Sequence, residues 1–228
     1  LEGHSSAVYV LDLEQEQWSL AVSDNVLIPT PRDKMTGWTH KSRCYYFGGY
    51  GPSPLELPNP EQYLRNVGEF VIDGTSSFSW NNQLLIFDPN RARNSKWTLA
   101  EVGGSVPSAR AACSSTYLPA YASILVFGGR CRTERLNDLY MLDLSSLVWT
   151  RVETTEVPVQ PSGRSWCSVN ALSSDQALVY GGLSNDSHTL SDSWRICIKR
   201  KRKGWYEGTW TAMDIASERR LCRHTGAV

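Results

Sequence analysis

One pattern recurs three times and constrains the fold more than any other feature of the chain. An arginine (Arg32, Arg110, Arg164) is followed 16, 18 and 17 positions later by the first glycine of an aromatic-Gly-Gly triplet, and later again by a tryptophan (Trp97, Trp149, Trp210). The intervals from that glycine to the tryptophan are 49, 21 and 29. A near-constant first interval is what a rigid hairpin needs. A variable second interval marks a loop that takes insertions, and such loops gather on one face of a repeat protein. "ILVFGG" and "ALVYGG" are short apolar runs ending in glycine, as buried strands are. "LYMLDL" and "LLIFD" alternate in the manner of strands before a turn. The glycine pair suits positive φ or the close approach of a neighbouring strand, and the tryptophan suits a wedge between packed sheets. No long amphipathic helical period is present.

Composition narrows the function classes. With 41% hydrophobic and 20% charged residues, the 228-residue chain can bury a core, so disorder is not expected. Lys+Arg and Asp+Glu are equal at 23, which gives no global argument for nucleic acid or an anionic membrane as partner. No apolar run approaches the roughly 18 residues of a membrane span. The six cysteines form no Cys-x-x-Cys pair. Reduced thiols in an intracellular protein of nucleus or cytoplasm are expected, with the sequon Asn185-Asp186-Ser187 unused. The four histidines are dispersed, and no nucleotide or hydrolase fingerprint is present. The expectation is therefore no metal, no cofactor and no catalytic residue. A propeller enzyme stays the third reading.

A period near 50 carrying Gly-Gly and a spaced tryptophan resembles the kelch family, in which each repeat is one four-stranded blade of an all-β propeller. The resemblance implies a single partial propeller over 1–228: the end of a blade at 1–22, full repeats at 30–97, 107–149 and 161–210, and the start of another blade at 218–228. Three full blades and two partial ones, out of about six, imply a chain cut from a longer protein. The first repeat carries a long insertion, 51–80, whose Pro52, Pro54, Pro58 and Pro60 predict an ordered but irregular loop. The basic run Lys199–Lys203 reads either as a solvated hairpin tip or as a nuclear signal.

"VFGGRCRTERLNDLYMLDL" (Val126–Leu144) places three arginines behind a glycine turn. They are either solvated loop charges or a binding device. Arg130 leaves the strand at the turn and Arg135 stands near the end of the same loop, so both guanidinium groups can face one side of the blade rim. Two planar forks match a carboxylate or phosphate. "GRSWCS" opens the next blade. It brings Ser165 toward that rim, and Trp166 as either pocket wall or inter-blade packing. Arg132 is expected to be a charge in water.

"PRDKM", "YYFGGYG", "FGGRCRTERLNDLYMLDL" and "GRSWCSVNALSSD" are similar to the kelch receptors of diglycine C-degrons, substrate receptors of Cullin-2 RING ubiquitin ligases. What the resemblance implies is capture of a free C-terminal carboxylate by Arg130, Arg135 and Ser165. Lys34 and Tyr50 would reach the preceding backbone, and Trp166 and Trp80 would form the walls. The partners implied are C-terminal peptides of substrate proteins, together with an elongin–cullin adaptor bound through a region this chain does not contain. The alternative is a kelch scaffold whose rim arginines face another acidic partner.

Overall fold

A computed structural model describes residues 4–21, 27–65, 67–91, 96–154, 159–201, 204–214 and 219–226. Among these described residues the regular structure is β, with only short 3-10 turns besides. An N-terminal hairpin pairs β1 (Tyr9–Asp12) with β2 (Gln17–Leu20). The first full blade is an antiparallel sheet of β3 (Thr36–His40), β4 (Arg43–Phe47), β8 (Leu84–Phe87) and β9 (Trp97–Leu99). Its insertion is not the irregular loop its prolines predict. Within it β5 (Tyr50–Pro52), β7 (Phe78–Asn81) and β6 (Phe70–Ile72) make a three-stranded sheet. Pro52 ends β5, Pro54 and Pro60 open 3-10 turns, and Pro58 lies in the bend between those turns, so no missing N–H is taken from the interior of the ladder.

A two-residue strand, β10 (Gly103–Gly104), leads into the second blade: β11 (Ser114–Leu118), β12 (Ser123–Phe127), β13 (Leu139–Asp143) and β14 (Val148–Thr154). The third begins with the short β15 (Arg164–Ser165) and continues through β16 (Ser168–Ala171), β17 (Gln176–Ser184), β18 (Thr189–Arg200) and β19 (Tyr206–Met213). The β18–β19 hairpin is long enough for its outer strand to run parallel to β14, from Val152 against Tyr206 to Thr154 against Gly208. Of the basic run, Lys199, Arg200 and Lys201 belong to this hairpin, and Arg202 and Lys203 lie outside the described residues. So do residues 1–3 and 22 of the N-terminal segment and 218, 227 and 228 of the C-terminal one.

The recurring residues hold the blades to one another. Trp149 packs on Phe47 of the preceding blade (ring centroids 4.9 Å), and Trp210 packs on Phe127 (5.3 Å), so each tryptophan is wedged against the aromatic that precedes its neighbour's glycines. The first glycine of each pair has φ of +71°, +64° or +61°. A Cβ there would lie 2.5–2.7 Å from the carbonyl oxygen of Arg110, Arg164 or Leu221 in the following blade. The second glycine donates its N–H to that same carbonyl. Only glycine allows both the conformation and the approach.

The arginines close these junctions. Arg110 is fully buried and makes a bidentate pair with Asp138 (2.6 and 2.9 Å), with further bonds to the Gly128 carbonyl and Ser108. Arg164 repeats the arrangement with Asp192, the Gly181 carbonyl and Ser162. In the first blade the acid is replaced. Arg32 donates to the side-chain oxygens of Asn81 (2.7 Å) and Gln83 (2.6 Å), and among the described residues no carboxylate is bonded to it. Burial then pushes its pKa down to about 9. Gln83 gives a reason for the exchange: its amide N–H groups also donate to the carbonyls of Leu64 and Val67, tying down the insertion. A carboxylate has no N–H to do this.

Candidate functional site

The same junctions generate a cleft. Counting from the recurring arginine, the second residue on stands in the left-handed region in every blade: Lys34 (φ 59°), Ala112 (54°), Trp166 (61°) and, in the last segment, Arg223 (56°). Their backbones form a chain of hydrogen bonds, each N–H donating to the carbonyl of the equivalent residue one blade earlier: Ala112 to Lys34, Trp166 to Ala112, Arg223 to Trp166 (2.8–3.0 Å). Non-glycine residues held in this region cost on the order of 1–3 kcal/mol each, and such strain gathers at functional sites. A second register follows the glycine pair. Tyr50, Arg130 and Leu183 each pair, strand-like, with the residue after the blade's arginine: Asp33, Ala111 and Ser165. All four residues of the first register and all three of the second line one cleft of ≈ 290 Å³, together with Trp80, Asp73, Ala111 and Arg135.

Six of the seven residues singled out from the sequence line this cleft: Lys34, Tyr50, Trp80, Arg130, Arg135 and Trp166. Ser165, the seventh, does not. It is fully buried, and its hydroxyl oxygen accepts a hydrogen bond from Nε of Arg135 at 3.0 Å, so it acts on the cleft through that guanidinium. The two arginines also differ from each other. Arg135 is buried (9% exposed), and Arg130 is exposed. The two pair backbone to backbone across a tight hairpin closed by bonds from Leu136 N–H to Gly129 and from Cys131 N–H to Glu134. Burial and then the neighbouring charge of Arg130 push the Arg135 pKa down. Among the described residues neither arginine has an ion-pair partner. Arg132 is exposed and is not part of the cleft wall.

The opposite wall is aromatic. Tyr50 packs on Trp80 (5.0 Å) and stacks on Phe78 (5.6 Å), and Trp80 is buried against Ala109 and Ala111 of the next blade. Lys34 lies over the Tyr50 ring (4.9 Å), with its ammonium 2.9 Å from Asp33. The Tyr50 hydroxyl donates to Asp73 (2.8 Å), and its oxygen, a hydrogen-bond partner of the Ser76 side chain, keeps a second lone pair for an incoming donor.

Four contributors escaped the sequence reading. Leu183 and Arg223 occupy the two repeat registers, but Arg223 is hidden because Leu221 takes the place of the recurring arginine. Asp73 comes from the insertion, which has no counterpart in the other repeats. Asn185 holds the Arg135 backbone at both ends, accepting from its N–H (2.7 Å) and donating to its carbonyl (3.1 Å). The nitrogen that a glycan would use is thereby engaged.

Among the described residues no group of three or more His, Cys, Asp or Glu side chains is placed to hold a metal ion, and no helix is long and apolar enough to cross a membrane.

Residues 68–228 match the KLHDC2/KLHL20/DRC7 Kelch-repeats domain. The chain belongs to the kelch-repeat family. This kelch chain is 32% identical to kelch domain-containing protein 1 of Mus musculus over 85% of its own length and 47% of the relative's. It is 31% identical to kelch domain-containing protein 2 of Bos taurus over 87% and 47%, and to that of Homo sapiens over the same shares. The chain therefore spans about half the length of the curated relatives it matches. Among solved structures it is similar in fold to that titled "Structure of YjhT", with a TM-score of 0.65, 15% identity, and coverage of 94% of this chain and 61% of the other. The architecture is that of an incomplete kelch β-propeller, a class of protein-binding module that is in general non-catalytic.

Proposed function

We propose that this kelch chain captures the free C-terminus of a target protein ending in Gly-Gly, as the recognition part of a cullin-RING ubiquitin ligase. The observation that carries the reading is a buried guanidinium without an acid: Arg135, pinned by Ser165, beside Arg130 and open to a small cleft. Two such forks favour a planar anion, and an enclosed site strengthens the pairing. At ≈ 290 Å³ the cleft is at the small end of ligand sites, and two tryptophans, Trp80 and Trp166, line it. A glycine carboxylate with its preceding glycine suits that space, and side chains would meet Trp80 or Trp166.

Lys34, using one of its three N–H groups on Asp33, has others for a peptide carbonyl, and the Tyr50 oxygen can accept a peptide N–H. The peptide is then read by its backbone and its terminus. Arg135 and Arg130 bind the carboxylate, and Ser165 positions Arg135. Ligase assembly through an elongin–cullin adaptor is assigned to no residue of this chain, and the setting is nucleus or cytoplasm, in keeping with six free thiols.

Isothermal titration with a decapeptide ending in Gly-Gly tests the reading. We expect saturable binding that falls at least tenfold when one alanine is added after the terminal glycine, because the carboxylate is then carried past the arginines. Equal affinity for the extended peptide would overturn the reading. Co-purification of the full-length protein with a cullin adaptor tests the ligase half, which fails if none is recovered.

A further inference from the structure

Charge in the cleft does not balance, even with a C-terminal carboxylate in place. Lys34 is paired with Asp33, and Asp73 lies on the same wall, bonded to the Tyr50 hydroxyl under the Lys34 ammonium. The carboxylate of the proposed peptide answers Arg130 and Arg135. That leaves Arg223. Its guanidinium lies over the Trp166 ring at 4.7 Å, and its backbone N–H is bonded to the Trp166 carbonyl (3.0 Å). It forms part of the cleft wall, and no ion pair to it occurs among the described residues. A guanidinium held over a ring face by a cation–π contact does not use its N–H groups on that ring, so they remain available for a planar anion. The conformation is also fixed from below, because Arg223 is the last member of the left-handed register that places Lys34, Ala112 and Trp166 at the same cleft.

We infer that Arg223 is a specificity residue: it selects target C-termini that carry a glutamate or aspartate a few residues upstream of the terminal glycines. This rests on the C-terminus reading above and adds a side-chain preference to a site otherwise read through the peptide backbone. An extended peptide advances about 3.3–3.6 Å per residue. With the last two residues in the small clamp, the third to sixth from the end pass the Trp166–Arg223 wall. An aspartate or glutamate there completes a bidentate pair, and a lysine meets the same charge.

The test uses the full chain and a polyalanine decapeptide ending in Gly-Gly, with Glu, Gln or Lys placed singly at the third, fourth, fifth and sixth positions from the end. At one or more positions Glu should bind roughly tenfold more tightly than Lys, with Gln between. Arg223→Gln should reduce that ratio to less than about twofold. Arg132→Gln, which removes an exposed charge from outside the cleft wall, should leave the ratio unchanged.

Equal binding of Glu, Gln and Lys peptides, with the all-alanine peptide still bound, overturns the inference and leaves the C-terminus reading standing. A ratio lowered equally by Arg132→Gln and Arg223→Gln overturns it in favour of the general field of the surface. Failure of every peptide to bind overturns both readings.

Discussion

Arg110 and Arg135 lie in the same blade, both withdrawn from water, yet they are satisfied in different ways. Arg110 has a bidentate carboxylate, a backbone carbonyl and a hydroxyl. Burial opposes its charge, and Asp138 more than restores it, so its pKa sits above the ordinary value. Arg135 has one neutral hydroxyl and a second cation beside it. A buried charge without its counter-ion is expensive, and proteins keep one where a ligand supplies the missing partner. The pair thus separates structural from functional arginines by their partners. Arg164 falls with Arg110, Arg130 falls with Arg135, and Arg32 stands between, surrounded by amides.

The comparison can be broken most directly at Asp138. Asp138→Ala should cost about 3–5 kcal/mol in urea unfolding, because it leaves a fully buried guanidinium unpaired. A loss under about 1 kcal/mol would show that the socket is not what holds the junction. Arg135→Ala should behave oppositely. Its unfolding free energy stays within about 1 kcal/mol of wild type, since one hydrogen bond is lost and one repulsion is relieved, while affinity for a Gly-Gly peptide falls roughly 30-fold or more, matching the 2–5 kcal/mol of a truncated buried charge contact. A variant that unfolds without a change in the affinity of its folded fraction would place Arg135 with Arg110.

Gln83→Glu sharpens the intermediate case. It gives Arg32 the acid that the other blades have and takes the amide N–H groups from Leu64 and Val67. The two changes offset to within about 1 kcal/mol of global stability, while amide exchange in β6 and β7 accelerates. It also abolishes an alkaline effect: burial holds the folded Arg32 pKa down to about 9, below its unfolded value, so Arg32 releases its proton earlier in the folded chain, its penalty fades, and stability rises as pH climbs above about 9. Urea midpoints from pH 8 to 11, referred to Arg32→Met, measure this. No difference in slope would contradict it.

The smallest effect belongs to Asp192. Burial alone would raise its pKa, but bonds from Arg164 and Trp194 outweigh burial and hold it below 3.8. Its stabilisation is therefore present above pH 3.8 and lost as pH falls through the lower folded value. Its carboxylate is 40% exposed, so the gap between wild type and Asp192→Asn should be under about 1 kcal/mol at pH 7 and narrow as pH falls below 3.8. A gap that persists in acid would remove the ion pair as its cause.

Much of the fold was legible because its determinants repeat. Backbone contact between blades demands Gly-Gly, the wedge demands tryptophan, and both recur at readable intervals. The sheet inside the insertion was not legible, because a single occurrence offers no register to compare and its prolines mask short strands. In the cleft, Arg130 and Trp166 were legible from their places behind the glycines and the recurring arginine, whereas Lys34 and Tyr50 were reached only through the family resemblance. Asp73, Asn185 and Arg223 were not, since each depends on a loop or a register that only three-dimensional contact defines. Ser165 was legible as a neighbour of Arg135, but its complete burial was not.

The claim that the cleft reads a free C-terminus is tested most directly by a cycle between ligand and protein. Binding of one Gly-Gly peptide is measured as the acid and as the C-terminal amide, each against wild type and Arg135→Ala. Amidation should weaken binding to wild type strongly and to Arg135→Ala little, with a coupling of about 2 kcal/mol or more between carboxylate and guanidinium. Equal affinity of acid and amide for the wild-type chain, or additive losses with no coupling, would contradict the account.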